Sequence, residues 1–343
     1  MSAIGVWVAG KATGATRLRS RRSQAATWTA FLMFALGLVT AVAKAAVPPS
    51  ERAVLNALYT QTNGAGWTVS TGWEGAAGTE CTWVGITCDA GGNHVTGINL
   101  FSDHLVGALP DLSGLSQLQT VEVDANALTG SVPPLAALTQ LQTFTASGNE
   151  LTGSIPALAG LTSLQYFDVS GNQISGAIPA LTGLSQLVAF SADSNRLTGS
   201  IPPLTGLVNL VFLRVGGNLL TGPMPSLAGL TSLTTVDIAN NQLTGPVATP
   251  PNPSALGASS SSLCPNALVP AANPETATDT AWDVATGLTP WSIGCTGAVV
   301  PPPSGAAVSA PALSWWSIVA LIAALIYFGV QVRRTFHDQE ENR

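Results

Sequence analysis

Charged residues are scarce in this 343-residue chain, where Asp, Glu, Lys and Arg together make up 9% of the positions. Between positions 46 and 312 there are three basic residues, Arg52, Arg196 and Arg214, against fifteen acidic ones, which gives a formal charge of −12. Such a field repels phosphate backbones, so a nucleic-acid partner is excluded. The hydrophobic content of 46% in turn excludes a disordered chain.

Residues that support catalysis are equally rare, with three histidines and four cysteines in the whole chain. His94 and His104 have no partner residue at metal-ligand spacing. The sequence also has no phosphate-binding loop, no G-x-S-x-G turn and no Cys/His nucleophile pair. We therefore expect a protein that is not an enzyme and that uses no cofactor or metal.

The start of the chain predicts export. Residues 1–45 combine a basic segment, an apolar stretch and an A-x-A-like cleavage site, the layout of a secretory signal peptide or of an uncleaved anchor.

The other end predicts a membrane anchor. After a Pro/Ala/Gly linker at 298–312, the mostly apolar residues 313–332 are long enough to cross a hydrocarbon core of about 30 Å. Arg333 and Arg334 place the tail 333–343 on the cytoplasmic side by the positive-inside rule. The bulk of the chain is therefore expected outside the cytoplasm, at the cell surface or in the periplasm.

One asparagine position recurs every 23 residues without an insertion. The series begins one step early with an aspartate and comprises Asp103, Asn126, Asn149, Asn172, Asn195, Asn218 and Asn241. The seven units over 95–248 read L-x-x-L-x-L-x-x-N-x-L-x-G-x-I-P-x-L-x-x-L. Such a period predicts a solenoid, because no unit can bury its apolar face without its neighbours. Alternating apolar residues should face the core from short parallel strands, and each asparagine should pair backbone groups at the bend.

This unit resembles the plant-type class of the leucine-rich repeat family, which is marked by L-x-G-x-I-P. The resemblance covers residues 95–247 and implies an α/β solenoid: a right-handed superhelix with a parallel concave β-sheet, capped at both ends. In that family the strand lines the concave face and the I-P segment adds a second short strand. The usual unit has 24 residues, and here one residue is missing between the proline and the next leucine.

Caps are expected over 46–94 and 249–297. The stretch "CTWVGITC" resembles the C-x-W-x-G-[IV]-x-C segment of the plant-type N-terminal cap, where it carries a disulfide. Four cysteines allow three pairings, and an exported chain favours disulfides over a zinc pair. We choose the pairing that staples each end of the solenoid: Cys81–Cys88 and Cys264–Cys295.

The C-terminal segment also loosely resembles bacterial sorting signals of the IPTL type, with "APAL" at 310–313 before the apolar stretch and the arginines. The chain has no N-x-[ST] sequon, which is unusual for a plant ectodomain of this kind. Together these two features favour a protein of the bacterial cell envelope.

Function is expected where the units differ, on the concave strands. The variable positions there include aromatic residues, carboxylates and one arginine: Phe101, Glu122, Asp124, Tyr166, Asp168, Asp193, Phe212, Arg214 and Asp237. We interpret the aromatic residues as exposed anchors and the carboxylates as favouring a cationic or polyhydroxyl partner. The same positions also fit a mildly acidic surface, with Arg214–Asp237 as an ordinary surface pair.

The leading hypothesis is a membrane-anchored, non-catalytic recognition protein that binds a protein, a peptide or a cell-wall polysaccharide. Two alternatives stay open: a structural or adhesive envelope component, and an inhibitor of extracellular hydrolases, as some plant-type repeat proteins are.

Overall fold

The computed structural model describes the chain over residues 46–252, 255–257, 259–269, 277–293 and 295. The predicted export segment, linker, membrane span and tail lie outside these residues. No helix among the described residues is long and apolar enough to cross a membrane.

Helix α1 (Pro49–Gln61) opens the described domain. Proline suits a first helical turn, because its missing N–H would have no intrahelical partner there. Leu55 and Leu58, three positions apart, are fully buried against the repeats. Two short 3₁₀ turns, Gly64–Gly66 and Glu80–Thr82, follow before the first strand.

Two buried carboxylates tie α1 to other parts of residues 46–95. Glu80 forms an ion pair with Arg52, whose guanidinium also donates to the carbonyl of Gly75 and lies over the Trp83 ring. Glu51 accepts hydrogen bonds from His94 Nδ1 and from the Val95 N–H, both at 2.7 Å. Helix α1 is therefore joined to strand β2, which begins at Val95, by a polar bond as well as by packing.

The strands form three sheets. The eight-stranded sheet contains, in spatial order, β1 (Ile86–Cys88), β2 (Val95–Asn99), β4 (Thr120–Glu122), β6 (Thr143–Thr145), β7 (Tyr166–Asp168), β9 (Ala189–Ser191), β11 (Phe212–Arg214) and β13 (Thr235–Asp237). The five-stranded sheet contains β8 (Ser175–Ala177), β10 (Arg196–Gly199), β12 (Leu219–Pro223), β14 (Gln242–Pro246) and β15 (Ala267–Val269). A two-stranded sheet pairs β3 (Val106–Ala108) with β5 (Ala127–Thr129).

Pairing in the eight-stranded sheet follows the sequence period. Only β1 and β2 pair antiparallel, and from β2 to β13 every pairing is parallel with a step of 23 residues. From β4 to β13 the central residue of each strand in this sheet faces the core. Phe144, Phe167 and Phe190 stack there with ring centroids 5.8 and 5.6 Å apart. The described domain is thus a β-solenoid of about seven turns.

The recurring asparagines bind consecutive turns to one another. Asn172 Oδ1 accepts from the Leu151 N–H of the previous turn at 2.9 Å. Its Nδ2 donates to the carbonyls of Ala146 and Val169 at 2.9 and 3.1 Å. The same bonds recur at five further rungs: Asn126, Asn149, Asn195, Asn218 and Asn241.

The ladder has different ends. Asp103 stands at the first position, and its carboxylate accepts from the Val69 N–H, which precedes the repeats, at 2.7 Å. At the far end Asn266 adds a rung beyond residue 248, where the sequence analysis ends the repeats. It accepts from the Leu243 N–H and donates to the carbonyls of Ile238 and Leu263.

Each turn of the solenoid also needs a glycine. Gly153, two residues before the Ile-Pro pair, has a φ of 74°, which L side chains rarely adopt. A Cβ added there would lie 3.1 Å from the Cβ of Ser131 in the previous turn. Glycine therefore serves both the turn and the close stacking of neighbouring coils.

Helix α2 (Ala277–Thr286) lies at the C-terminal end of the repeats. Trp282 is buried and its Nε1 donates to the Ala248 carbonyl at 2.9 Å, which joins the helix to the last repeat. Both predicted disulfides are confirmed, with Cα–Cα distances of 5.6 Å for Cys81–Cys88 and 4.8 Å for Cys264–Cys295.

Candidate binding surface

The outward side of the eight-stranded sheet brings the predicted site residues together, and we call it the strand face. Two rows cross it in strict register. The first row is Gly97, Thr120, Thr143, Tyr166, Ala189, Phe212 and Thr235. The second row is Asn99, Glu122, Thr145, Asp168, Ser191, Arg214 and Asp237. A third line lies two residues after the second row along the chain. It contains Phe101, Asp124, Ser147, Ser170, Asp193, Gly216 and Ala239.

The aromatic residues of the strand face differ in exposure. Phe101 has 61% of its surface exposed, whereas Tyr166 and Phe212 are half-buried. The prediction of three exposed aromatic residues is therefore too simple. Tyr166 and Phe212 stand on either side of Ala189, and the Arg214 guanidinium lies over the Phe212 ring, with its Cζ 5.2 Å from the centroid.

Asp168, one of the carboxylates expected on this face, is buried. It is only 1% exposed, and its Oδ1 accepts from the Ser170 N–H at 2.9 Å and from Ser170 Oγ at 2.6 Å. Strand alternation correctly directs the side chain outward. Parallel strands lie only about 4.8 Å apart, however, so neighbouring side chains can cover a short carboxylate.

Burial changes the acidity of this surface. Burial raises the pKa of Asp168 to about 7, an effect that the Ser170 hydrogen bonds partly oppose. Burial likewise raises the pKa of Asp193 to about 6, with repulsion from Asp237 acting in the same direction. The pKa values of Glu122 and Asp237 are raised as well, again chiefly by burial.

Arg214 does not form the predicted surface pair with Asp237. The two residues are in register on adjacent strands, but no ion pair within 4.0 Å joins them. The Asp237 carboxylate instead leans over Gly216, where an added Cβ would lie 2.7 Å from its Oδ1. Arg214 acts on Asp237 and Asp193 at longer range, since its charge lowers both pKa values against the larger effect of burial.

The hydroxyl groups beside the carboxylates are paired, with one exception. Thr145 Oγ1 and Ser147 Oγ donate to Asp124, and Ser170 Oγ donates to Asp168. Ser191 is 1% exposed, and its Oγ has no hydrogen-bond partner. Our sequence reasoning missed Ser191. Its place in the second row between Asp168 and Arg214 was the available signal.

Both histidines of the described ranges lie within hydrogen-bond distance of another side chain. No group of three or more His, Cys, Asp or Glu residues there is arranged to hold a metal ion. His94 is engaged with Glu51, and that hydrogen bond raises its pKa. His104 Nδ1 is within hydrogen-bond distance of Thr68 Oγ1.

Parallel strands that stack turn on turn and an asparagine ladder are features that this domain shares with leucine-rich-repeat solenoids. Residues 163–184 match the family model described as Leucine Rich Repeat. The solved PEPR1–AtPEP1 structure is similar to this chain at a TM-score of 0.50 with 25% identity, covering 65% of this chain and 36% of that one. The described domain is thus similar to the ectodomains of plant leucine-rich-repeat receptors.

Two Arabidopsis structures match less closely. The GASSHO1/SCHENGEN3 ectodomain in complex with CASPARIAN STRIP INTEGRITY FACTOR 2 has a TM-score of 0.44 and 25% identity, covering 64% of this chain and 33% of that one. The receptor kinase HAESA with the peptide hormone IDA and the co-receptor SERK1 has a TM-score of 0.44 and 27% identity, covering 58% and 39%. This chain therefore spans between 33% and 39% of the length of these three structures.

Proposed function

We propose that this chain is a non-catalytic, extracytoplasmic recognition protein that binds a protein or peptide through the strand face. The observation that carries the proposal is the placement of partly exposed aromatic residues and carboxylates in adjoining rows of one rigid sheet. Half-exposed aromatic side chains on a preformed surface are the usual anchors of an interface, because their burial costs little conformational entropy. The similarity to the PEPR1–AtPEP1 structure supports ligand recognition by such a domain.

We further propose that the chain is exported and held at a membrane by residues 313–332. The two disulfides support export, since such bonds persist in oxidising compartments. The anchor itself rests on the length and apolar composition of that segment.

The binding proposal is tested with the double variant Tyr166→Ala/Phe212→Ala in the full chain. Partners are captured by the unmodified chain from surface-protein, secreted-peptide and cell-wall polysaccharide fractions, and each candidate is then purified and its affinity measured. We expect one saturable protein or peptide partner and a loss of about tenfold or more in affinity in the variant, as for the loss of central aromatic anchors.

The matched control is Val106→Ala/Val208→Ala, which removes exposed apolar surface away from the strand face. It should leave the affinity unchanged. Equal affinity of the wild-type chain and the Tyr166→Ala/Phe212→Ala variant would overturn the proposal. A captured hydrolase inhibited at the strand face would indicate an inhibitor, and self-association alone would indicate a structural role.

A further inference from the structure

The unpaired hydroxyl of Ser191 lies in the middle of the strand face. It is in register with Asp168 on β7 and Arg214 on β11, and Asp193 follows two residues later in its own strand direction. Buried hydroxyls nearly always have a hydrogen-bond partner, and the neighbouring Thr145, Ser147 and Ser170 each have one. Ser191 is therefore the polar group of this face whose bonding is incomplete.

The carboxylates on either side lack a counter-ion. Neither Asp168 nor Asp193 has a Lys, Arg or His nitrogen within 4.0 Å in the described part of the chain. Arg214, the one cation in the rows, lies over Phe212 instead. The raised pKa values of Asp168 and Asp193 have the same cause, because burial without a cation disfavours the charged form.

We propose that the strand face binds a cationic side chain of a peptide, a lysine ammonium or an arginine guanidinium, between Asp168, Ser191 and Asp193. Such a group donates several hydrogen bonds, so it can satisfy both carboxylates and the Ser191 oxygen together. The half-buried rings of Tyr166 and Phe212, in the adjoining row, offer apolar surface to the methylene stem of the same side chain.

Other ligand groups fit this place less well. A phosphate or carboxylate would be repelled by Asp124, Asp168, Asp193 and Asp237. Within this group, the charges of Asp124 and Asp193 raise the pKa of Asp168, and the charge of Asp237 raises the pKa of Asp193. A metal ion would need three or more suitable ligands, which the described residues do not bring together. This inference rests on the proposed function and specifies the chemical group that the strand face recognises.

The test uses the full chain and an immobilised set of nonapeptides in which one central residue is lysine, acetyl-lysine or glutamate. We expect lysine peptides to bind, and acetylation to weaken binding about tenfold. Asp168→Asn and Asp193→Asn should each weaken the binding of lysine peptides by a similar factor, and Ser191→Ala by a smaller one. Arg214→Ala should strengthen binding, because it removes a like charge that competes for Asp193.

Asp111→Asn is the matched control, since it removes one exposed carboxylate from the same domain away from the strand face. Loss of binding in Asp111→Asn equal to that in Asp168→Asn, or equal binding of lysine and acetyl-lysine peptides, would overturn the inference. If Asp168→Asn fails to fold, Ser191→Ala/Asp193→Asn gives the same comparison. Binding that needs Tyr166 and Phe212 but is indifferent to these charges would retain the proposed function and reject the cationic site.

Discussion

Asp168 shows at the scale of one residue how position in a sheet changes a side chain's chemistry. Its place in the repeat makes it outward-facing, as in every other unit, but it is covered by its neighbours while Phe101 in the adjoining line is open. Covering removes water from the carboxylate, and no cation replaces that water. The repeat pattern predicts an ordinary surface carboxylate at Asp168. In the folded chain its pKa is instead close to neutral pH.

Asp168→Asn should make the domain more stable at neutral pH. The pKa of Asp168 is about 7 in the fold against an ordinary value of 3.8, so between these values the folded chain binds more protons than the unfolded chain. Stability therefore falls as pH rises through this window, and Asp193 acts in the same sense up to about 6. We expect Asp168→Asn to gain on the order of 1–3 kcal/mol in urea unfolding at about pH 8 and little at about pH 4.

The comparison must allow for His94, whose raised pKa also stabilises the fold at low pH and loses that effect as pH rises. Both proteins retain His94, so its contribution cancels between them. Glu150→Gln serves as the control, because it removes an exposed carboxylate, and it should show the pH dependence of the unmodified chain. A parallel pH profile for wild type and Asp168→Asn would show that the carboxylate is not held in the state described.

At the scale of elements, the asparagine ladder replaces the backbone bonds that a bend cannot make. In each rung the asparagine Oδ1 accepts from a backbone N–H of the previous turn. Its Nδ2 donates to one carbonyl of the previous turn and to one of its own turn. Asn266 makes the same set of bonds, although it is 25 residues from Asn241 and its unit lacks the leucine pattern. The repeat stack thus continues one turn further, to β15.

Asn266→Ala should cost about 1–3 kcal/mol of unfolding free energy, because the Leu243 N–H and two carbonyls lose their partner in a buried place. Asn172→Ala, in the middle of the ladder, should cost a similar amount. The measurement is urea unfolding followed by far-UV circular dichroism.

Asn209→Ala is the control for the loss of an amide. Asn209 is exposed and donates to the Ser185 carbonyl at 2.8 Å, so its removal should change stability by no more than about 0.5 kcal/mol. If Asn266→Ala behaves like Asn209→Ala, the last rung does not support the fold.

At the scale of the whole molecule, the proposal joins an exported repeat domain to an apolar anchor. The two disulfides of this domain, Cys81–Cys88 before the repeats and Cys264–Cys295 after the last strands of the eight-stranded sheet, are typical of an oxidising compartment. The proposed anchor rests on the length and apolar composition of residues 313–332.

Truncation after Ala312 should move the chain from the membrane fraction to the soluble extracytoplasmic fraction. The physical reason is the loss of about twenty apolar residues whose transfer from bilayer to water is strongly unfavourable. The measurement is alkaline extraction of membranes followed by immunodetection.

Truncation after Arg334 is the matched control, because it keeps the apolar segment and its two arginines and removes only the last residues. It should stay in the membrane fraction. Retention of the Ala312 truncation in that fraction would show that another part of the chain provides the attachment.

The solenoid could be predicted from the sequence because its signal is repeated. Every unit repeats the same local features: a length of 23 residues, leucines at fixed spacing and a glycine at the turn. The register of the strand face followed from the same period. Six of the nine predicted site residues lie in its two rows, and Phe101, Asp124 and Asp193 lie two residues beyond the second row. The hydrogen bonds of Asn266 were not predicted, because the only part of the repeat pattern that its unit retains is "LCPNAL".

The state of the site residues could not be read in the same way. Asp168, Ser191 and Arg214 occupy equivalent positions, yet one is a buried acid, one an unpaired hydroxyl and one a cation directed at Phe212 rather than at Asp237. The burial and hydrogen bonding of each of these side chains depend on the side chains 23 residues before and after it, and on their conformations. The repeat period therefore establishes by itself the fold and the position of each residue within its turn. Exposure, charge state and bonding arise only when adjacent turns are stacked, because those are properties of neighbours in space.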